Sequence, residues 1–291
     1  MIGLKCLYNK YMGGTMDVYD LYSYNNCIKD RLRFLNVGNT DLERNNVYYD
    51  TKEHIYVKHY RDRNHYKNEL QALLFYSNYA LVPNIIHNLD MCICISSLKG
   101  SIIEDDEINF NVYAQIGHSL SNLHLNSQKI FHRPLDINGY FLYEKKRLDN
   151  LFKKIDFRNQ MLYEMLLCIL KKDIYEANSN LVLCHNDFCN RNILISNGKV
   201  SGIIDFEKSH FADPMCDLAT IIIKKYKTKC LTEVLNGYFE HKISYNEKQR
   251  IVYFAIYKAL EITTWAKNKD IKFYNKAVDF LKEWKLLYDI I

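Results

Sequence analysis

The chain has 291 residues, 48% hydrophobic and 25% charged, with only 3 prolines and 10 glycines, which allows a sizeable core in one large or two modest units and argues against linkers, collagen-like repeats and low complexity. The net charge of +5 is mild and dispersed, unlike the basic stripe that a nucleic-acid binder concentrates on one face. No run approaches the roughly 18 apolar residues of a membrane span, the N-terminus lacks an apolar signal region, and nine scattered cysteines without a CxxC pair fit reduced thiols, so a soluble cytoplasmic protein with neither membrane nor nucleic-acid partner is expected.

Residues 1–30 carry no assignable role. From Arg31 the pattern turns to strands: Leu32–Val37, a polar turn at Gly38–Asn46, Val47–Tyr49 and His54–Tyr60. Lys58 stands in Ile55-Tyr56-Val57-Lys58, where a charge on the apolar face of a strand is normally avoided. The spacing of Tyr66, Leu70, Leu73 and Leu74 predicts a helix over 66–76, with Glu69 just off that stripe and free to reach a neighbouring strand. Cys92–Ile95 reads as an apolar strand whose two cysteines share one face and pack in a core, followed by a short connection at Ser96-Ser97-Leu98.

Beyond Gly100 the pattern becomes helical. Val112, Ile116, Leu120 and Leu123 share one face of a helix ending near His124, and an amphipathic helical pattern continues over Tyr143–Ala177. After Ala219, helices are expected over Ile221–Lys225, Leu231–Phe239, Asn246–Asn268 and Phe273–Leu287.

Between these helical stretches lies Leu181–Ala219, the most informative part of the chain. Two short apolar strands, Asn192–Ser196 and Val200–Phe206, flank Asn197-Gly198, the dipeptide best suited to a two-residue hairpin turn. The hairpin brings Asn192 and Asp205 together at a strand mouth, an oxygen pair that suits Mg²⁺. Asp187 is expected beside them, unpaired by any basic neighbour in sequence. Phosphoryl transfer needs little more: a positioned hydroxyl, metal to offset phosphate charge, and a carboxylate for the hydroxyl proton to approach.

This stretch resembles the catalytic segment of the aminoglycoside phosphotransferase and choline kinase superfamily, small-molecule kinases with a protein-kinase-like fold. The match comprises His-x-Asp-x-x-x-x-Asn at His185, Asp187 and Asn192, then Ile204-Asp205-Phe206, then Asp-Pro-x-x-Asp-Leu-Ala at Asp213–Ala219. The resemblance implies an α+β, bilobal protein-kinase-like fold. Residues 1–98 would form a small nucleotide-binding N-lobe, an antiparallel sheet plus one helix, with 1–30 as an extension. Residues 99–291 would form a larger, mainly helical, catalytic and acceptor-binding C-lobe carrying the hairpin.

By position, Asp187 resembles the catalytic aspartate, Asn192 and Asp205 the ligands of Mg²⁺, and His185 and Asp217 the residues that hold the catalytic loop in shape. Lys58 and Glu69 match the pair that contacts the nucleotide phosphates. Gly38 is the single glycine at the phosphate loop, a departure from a glycine-rich cradle, and Ser96, Ser97 and Leu98 resemble the segment whose backbone meets the adenine edge. Backbone contacts leave ATP and GTP equally open as donor. The implied activity is transfer of the γ-phosphoryl group to a hydroxyl of a small molecule, by a monomer or homodimer. A protein Ser/Thr kinase is the alternative enzyme, disfavoured by the lack of Arg between His185 and Asp187 and of an Ala-Pro-Glu segment. A catalytically silent nucleotide-binding protein is disfavoured by the complete set of Lys58, Asp187, Asn192 and Asp205.

The acceptor of such kinases sits between the catalytic loop and the last helices. From Lys227 to Ile291 twelve Lys/Arg stand against eight Asp/Glu, a surplus of four positive charges that does not suggest a polycation site. Glu207, Asp213 and Glu261 remain as acidic contacts. Tyr257 and Trp265, among several aromatics there, could bind a quaternary ammonium through cation–π attraction or, since Tyr253, Tyr257 and Leu260 fall at helical spacing, simply pack in a core.

Overall fold

The computed structural model describes residues 32–35, 45–102, 110–130, 137–155, 160–171 and 181–291. The chain divides into two compact units, Met1–Ser77 with Pro83–Ser97, and Asn78–Val82 with Leu98–Ile291.

In the first unit, β1 (Leu32–Phe34), β2 (Asn46–Asp50), β3 (Ile55–His59), β4 (Ile85–Leu89) and β5 (Cys92–Ser96) form an antiparallel sheet in the order β1-β2-β3-β5-β4. Strand β4 was not apparent in the sequence, because its burial is interrupted by exposed His87 and Asn88. Val57, Cys92, Cys94 and Tyr48 pack together on one face. Helix α1 (Arg63–Phe75) starts at Asp62, whose carboxylate accepts from the Asn64 and His65 N–H groups. Its buried face is Tyr66, Glu69, Ala72 and Leu73, while Leu74 is exposed. This corrects the apolar stripe read from sequence: Glu69 lies on the core face, not beside it. Gly38 lies outside the described residues.

In the second unit, α2 (Phe110–Ile130) buries Val112, Ile116, Leu120 and Leu123 along one face. The helical pattern of 143–177 is, among the described residues, two helices, α3 (Ile137–Lys154) and α4 (Gln160–Lys171), with buried Ile155 closing the first, and its end at 172–177 lies outside them. The short strand β6 (Ser101–Ile102) joins the hairpin of β8 (Ile193–Ser196) and β9 (Lys199–Ile203) in the order β6-β8-β9, and β7 (Val182–Cys184) pairs with β10 (His210–Ala212). The hairpin turn has φ 52° at Asn197 and 70° at Gly198, the double left-handed geometry that a two-residue turn requires. The hairpin is shorter than the sequence pattern suggested, so Asp205 falls two residues past β9, itself in the left-handed region at φ 71°.

The helices α5 (Met215–Lys225), α6 (Lys229–Tyr238), α7 (Tyr245–Trp265), α8 (Ile271–Glu283) and the short α9 (Leu287–Ile290) complete the unit. Helix α7 is its spine: Ser244 and Glu247 cap it reciprocally, and Ile251, Val252, Tyr253, Ala255, Ile256 and Ala259 are fully buried. No helix among the described residues is long and apolar enough to cross a membrane.

Helices α2 and α6 meet backbone to backbone. A methyl group at Gly237 would run into the Ala114 carbonyl, and one at Gly117 into the Val234 carbonyl. Ala is ordinarily better than Gly inside a helix by about 1 kcal/mol. Gly237→Ala should nevertheless lower stability by about 1–3 kcal/mol, because overpacking forces the two backbones apart. A thermal melt reads the sign directly, and a raised midpoint would show that the helices are not so close.

Candidate active site

The loop at residues 185–192 hangs on one buried carboxylate. The pairing of β7 with β10 brings residues 185–187 beside the start of α5, where Asp217 occupies the first turn. Asp217 Oδ2 accepts from the His185 N–H at 2.8 Å and Oδ1 from the Asn186 N–H at 2.6 Å. Asn186 needs the help, since it sits at φ 60°. Oδ2 also lies 3.0 Å from His124 Nε2, and His124 Nδ1 lies 2.8 Å from the Tyr238 hydroxyl. Burial opposes ionisation of Asp217, but the hydrogen bonds from His124 and from the loop outweigh it and hold the carboxyl below its ordinary value.

His185 carries the order onward. Its Nε2 lies 2.9 Å from the Ile204 carbonyl, which can only accept, so Nε2 bears the hydrogen and Nδ1 accepts from the Asp187 N–H at 3.3 Å. The ring also packs 4.6 Å from that of fully buried Phe206. One imidazole thus ties Asp187 to the residue before Asp205. Asn192 Nδ2 donates to the Asp187 carbonyl at 2.9 Å, and the Ile204 N–H donates to the Asn192 carbonyl at 2.9 Å. The amide nitrogen of Asn192 is committed to the loop, which leaves its oxygen as the end suited to a hard cation. Asp187, Asn192 and Asp205 therefore sit on one braced frame.

Asp187 is not unpaired, as the sequence had suggested. Its Oδ2 accepts from Arg191 Nη2 at 2.9 Å and Lys208 Nζ at 3.1 Å. Arg191 lies four residues on, one turn of the short 3₁₀ segment Asn190–Asn192, and Lys208 three residues past Asp205. Burial raises the cost of the Asp187 charge, but Lys208 and Arg191 prevail and keep the carboxyl below its ordinary value.

In the first unit, Lys58 on β3 and Glu69 on α1 meet at 2.6 Å between Nζ and Oε2, both side chains buried. The Tyr60 hydroxyl donates to the same Oε2 at 2.7 Å. A buried carboxylate with two donors is a fixed partner, and removing either charge costs about 3–5 kcal/mol. At the end of β5, Ser96 exchanges bonds with Asn84 at 2.9 Å through both its backbone N–H and its Oγ, and Ser97 is exposed. Leu98, in the second unit, packs over Gly202.

Of the residues proposed from sequence for an acceptor, Tyr257 and Glu261 lie one turn apart on α7 and both feel the charge of Arg147. Asp213 is buried, its carboxylate accepting from the Met215 N–H at 2.9 Å and lying 3.4 Å from Arg250. Glu207 is half-buried, Glu261 pairs with Lys258 at 2.6 Å, and Trp265 is exposed. Tyr257 is buried with Arg147 over its ring at 4.7 Å. Arg147, Arg191, Lys208 and His210 were not singled out in the sequence; only the spacing of Arg191 from Asp187 offered a signal.

A family profile described as the phosphotransferase enzyme family matches residues 39–249. The chain belongs to this family. Solved structures share its α+β, protein-kinase-like fold. The gentamicin–APH(2'')-IIa complex superimposes with a TM-score of 0.62 at 20% identity, covering 92% of this chain and 97% of the other. The ADP-bound aminoglycoside phosphotransferase APH(2'')-Ib gives 0.58 at 21% identity, with 86% and 91% covered. The Plasmodium vivax ethanolamine kinase Pv091845 gives 0.61 at 16% identity, with 99% and 95% covered. No curated protein matches the chain by sequence.

Asp217 has a depressed carboxyl pKa, so the native state holds this proton less readily than the unfolded chain, whose Asp titrates near about 3.9. Its contribution is complete above that pH and is lost as pH falls through the lower native value. Asp217→Asn should cost about 1.5–3 kcal/mol at neutral pH through loss of a charged hydrogen bond. Its melting midpoint should also fall less steeply with acid below pH ~4 than that of the wild type. Parallel slopes would show that Asp217 does not carry this acid sensitivity.

Proposed function

We propose that the chain transfers the γ-phosphoryl group of ATP or GTP to a hydroxyl of a small molecule. The observation that carries this reading is the single frame that holds Asp187, Asn192 and Asp205, with Asn192 bonded to the backbone of Asp187 itself. A turn built only for structure has no reason to bury an ionised aspartate and supply it with two cations.

In this reading, Lys58, kept extended by Glu69, meets the nucleotide phosphates. Asn192 and Asp205 would hold Mg²⁺, which offsets phosphate charge when bound. Arg191 and Lys208 occupy Oδ2 of Asp187, so an acceptor hydroxyl addresses Oδ1. A carboxylate held at low pKa is a weak base, and its first task is to orient the hydroxyl and to receive the proton once the bond to phosphorus is forming. Asp217 and His185 keep the loop in register and touch no reactant.

Turnover of nucleotide against a panel of hydroxylated small molecules tests the activity. Asp187→Asn preserves size and hydrogen bonding while removing the charge, and should reduce kcat by about 10²–10⁴-fold with nucleotide affinity little changed. Asp205→Ala should abolish turnover without loss of secondary structure by circular dichroism. Near wild-type turnover in Asp187→Asn would make the aspartate a loop residue, and magnesium dependence that survived Asp205→Ala would remove the metal assignment.

A further inference from the structure

We propose that the acceptor carries an anionic group, a carboxylate or a phosphate, received by Arg147, Lys208 and Lys258 beside Asp187. This rests on the phosphotransfer reading above and narrows it to a substrate class.

The argument starts from the aromatic faces. Tyr257 on α7 and Tyr143 on α3 would suit an ammonium ligand, but Arg147 lies 4.7 Å from the first ring and 5.7 Å from the second. The chain's own cation fills the place that a ligand cation would need. A second positive charge brought there would lose the aromatic face and meet repulsion from the guanidinium. Arg147 gives one bond to Glu144, Nη1 to Oε1 at 2.8 Å, and a guanidinium has five N–H donors in a planar fork matched to carboxylate and phosphate.

Three elements bring cations to this place: Arg147 from α3, Lys208 from the segment before β10, and Lys258 from α7. Glu261 registers all three, for burial opposes its charge while Lys258, Arg147 and Lys208 pull its carboxyl below the ordinary value. His210 feels Arg147 and Lys258 as well, its pKa pushed down first by desolvation and then by these cations against the opposing pull of the Lys208 carbonyl and Asp217. The same ring stands 3.1 Å from the side chain of Asn186, the residue before Asp187. The cationic group is thus neighbour to the carboxylate that addresses the hydroxyl.

The carboxylates here do not cancel the field that a ligand meets. Side-chain exposure is 27% for Arg147 against 0% for Glu144, and 46% for Lys208 against 13% for Asp187. Glu144 is also pushed toward its neutral form by burial, against the pull of Arg147. Glu261, at 35% exposure, balances one cation, Lys258. Among these six side chains the outward charge is positive, which favours an acceptor whose hydroxyl and anionic group share one small skeleton.

The test compares gluconate and glucose 6-phosphate with neutral glucose and cationic choline, by calorimetric binding and by nucleotide turnover. The proposal expects one or both acids to bind at least tenfold more tightly than glucose, choline not to bind, and Arg147→Gln to remove the difference. Arg147→Lys should retain part of it, and Lys258→Gln, a partly exposed change that spares the fold, should weaken acid binding severalfold. Preference for gluconate or for glucose 6-phosphate tells carboxylate from phosphate. Choline binding more tightly than either acid, or acids binding no better than glucose, overturns the proposal. Acid binding that depends on Arg147 without turnover of any acceptor upholds the anion site and sinks the phosphotransfer reading instead.

Discussion

A single carboxylate with two consecutive backbone N–H groups on it is the interaction on which the loop carrying Asp187 depends. Asp217 sits in the first turn of α5, where the helix dipole already favours negative charge, and it is fixed from behind by His124, which leans on Tyr238 of α6. The α2 and α6 helices can deliver His124 and Tyr238 together because glycines let their backbones approach. Core packing thereby sets the position of a loop several residues removed from it. Without that anchor, the His185 and Asn186 N–H groups lose their shared acceptor, and left-handed Asn186 is held only through its side chain, to the Cys184 carbonyl and His210.

The second consequence concerns charge. Asp187 is almost buried, and a lone carboxylate there would raise its pKa and take up a proton. Arg191 and Lys208 prevent this by binding one oxygen, which leaves an ionised group with a single direction in which to act. The result trades basicity for position. That suits phosphoryl transfer, where the bond to phosphorus makes the hydroxyl proton acidic late in the step. In the proposed reading, Arg147 extends the same cationic surface toward the rest of the acceptor.

The sequence exposed the features that depend on local chemistry. Asn197-Gly198 announces its turn because both residues tolerate positive φ, and Val112, Ile116, Leu120 and Leu123 announce their helix because the core is on one side of it. Long-range partners were hidden. Lys208 lies 21 residues from Asp187, and nothing in either neighbourhood shows that a left-handed residue at Asp205 turns the chain back. Glu69 was placed beside the apolar stripe because a carboxylate on a core face is improbable until Lys58 and Tyr60 are seen to meet it. Arg147 and Tyr257 come from separate helices, and Tyr257 alone, at helical spacing with Tyr253 and Leu260, read as core before ligand site. Strands β7 and β10 are each three residues long and pair across 25 intervening positions, too short for any periodicity to show.

The central claim is that Asp217 holds the loop before Asp187 through the N–H groups of His185 and Asn186. Amide hydrogen exchange on peptides spanning residues 182–192, in the wild type and in Asp217→Ala, tests it most directly. The account predicts slow exchange at these two amides in the wild type, and a rise by orders of magnitude in the variant while α7 keeps its protection. Unchanged protection of residues 185 and 186 in Asp217→Ala would contradict it, for the loop would then be held by something other than this carboxylate.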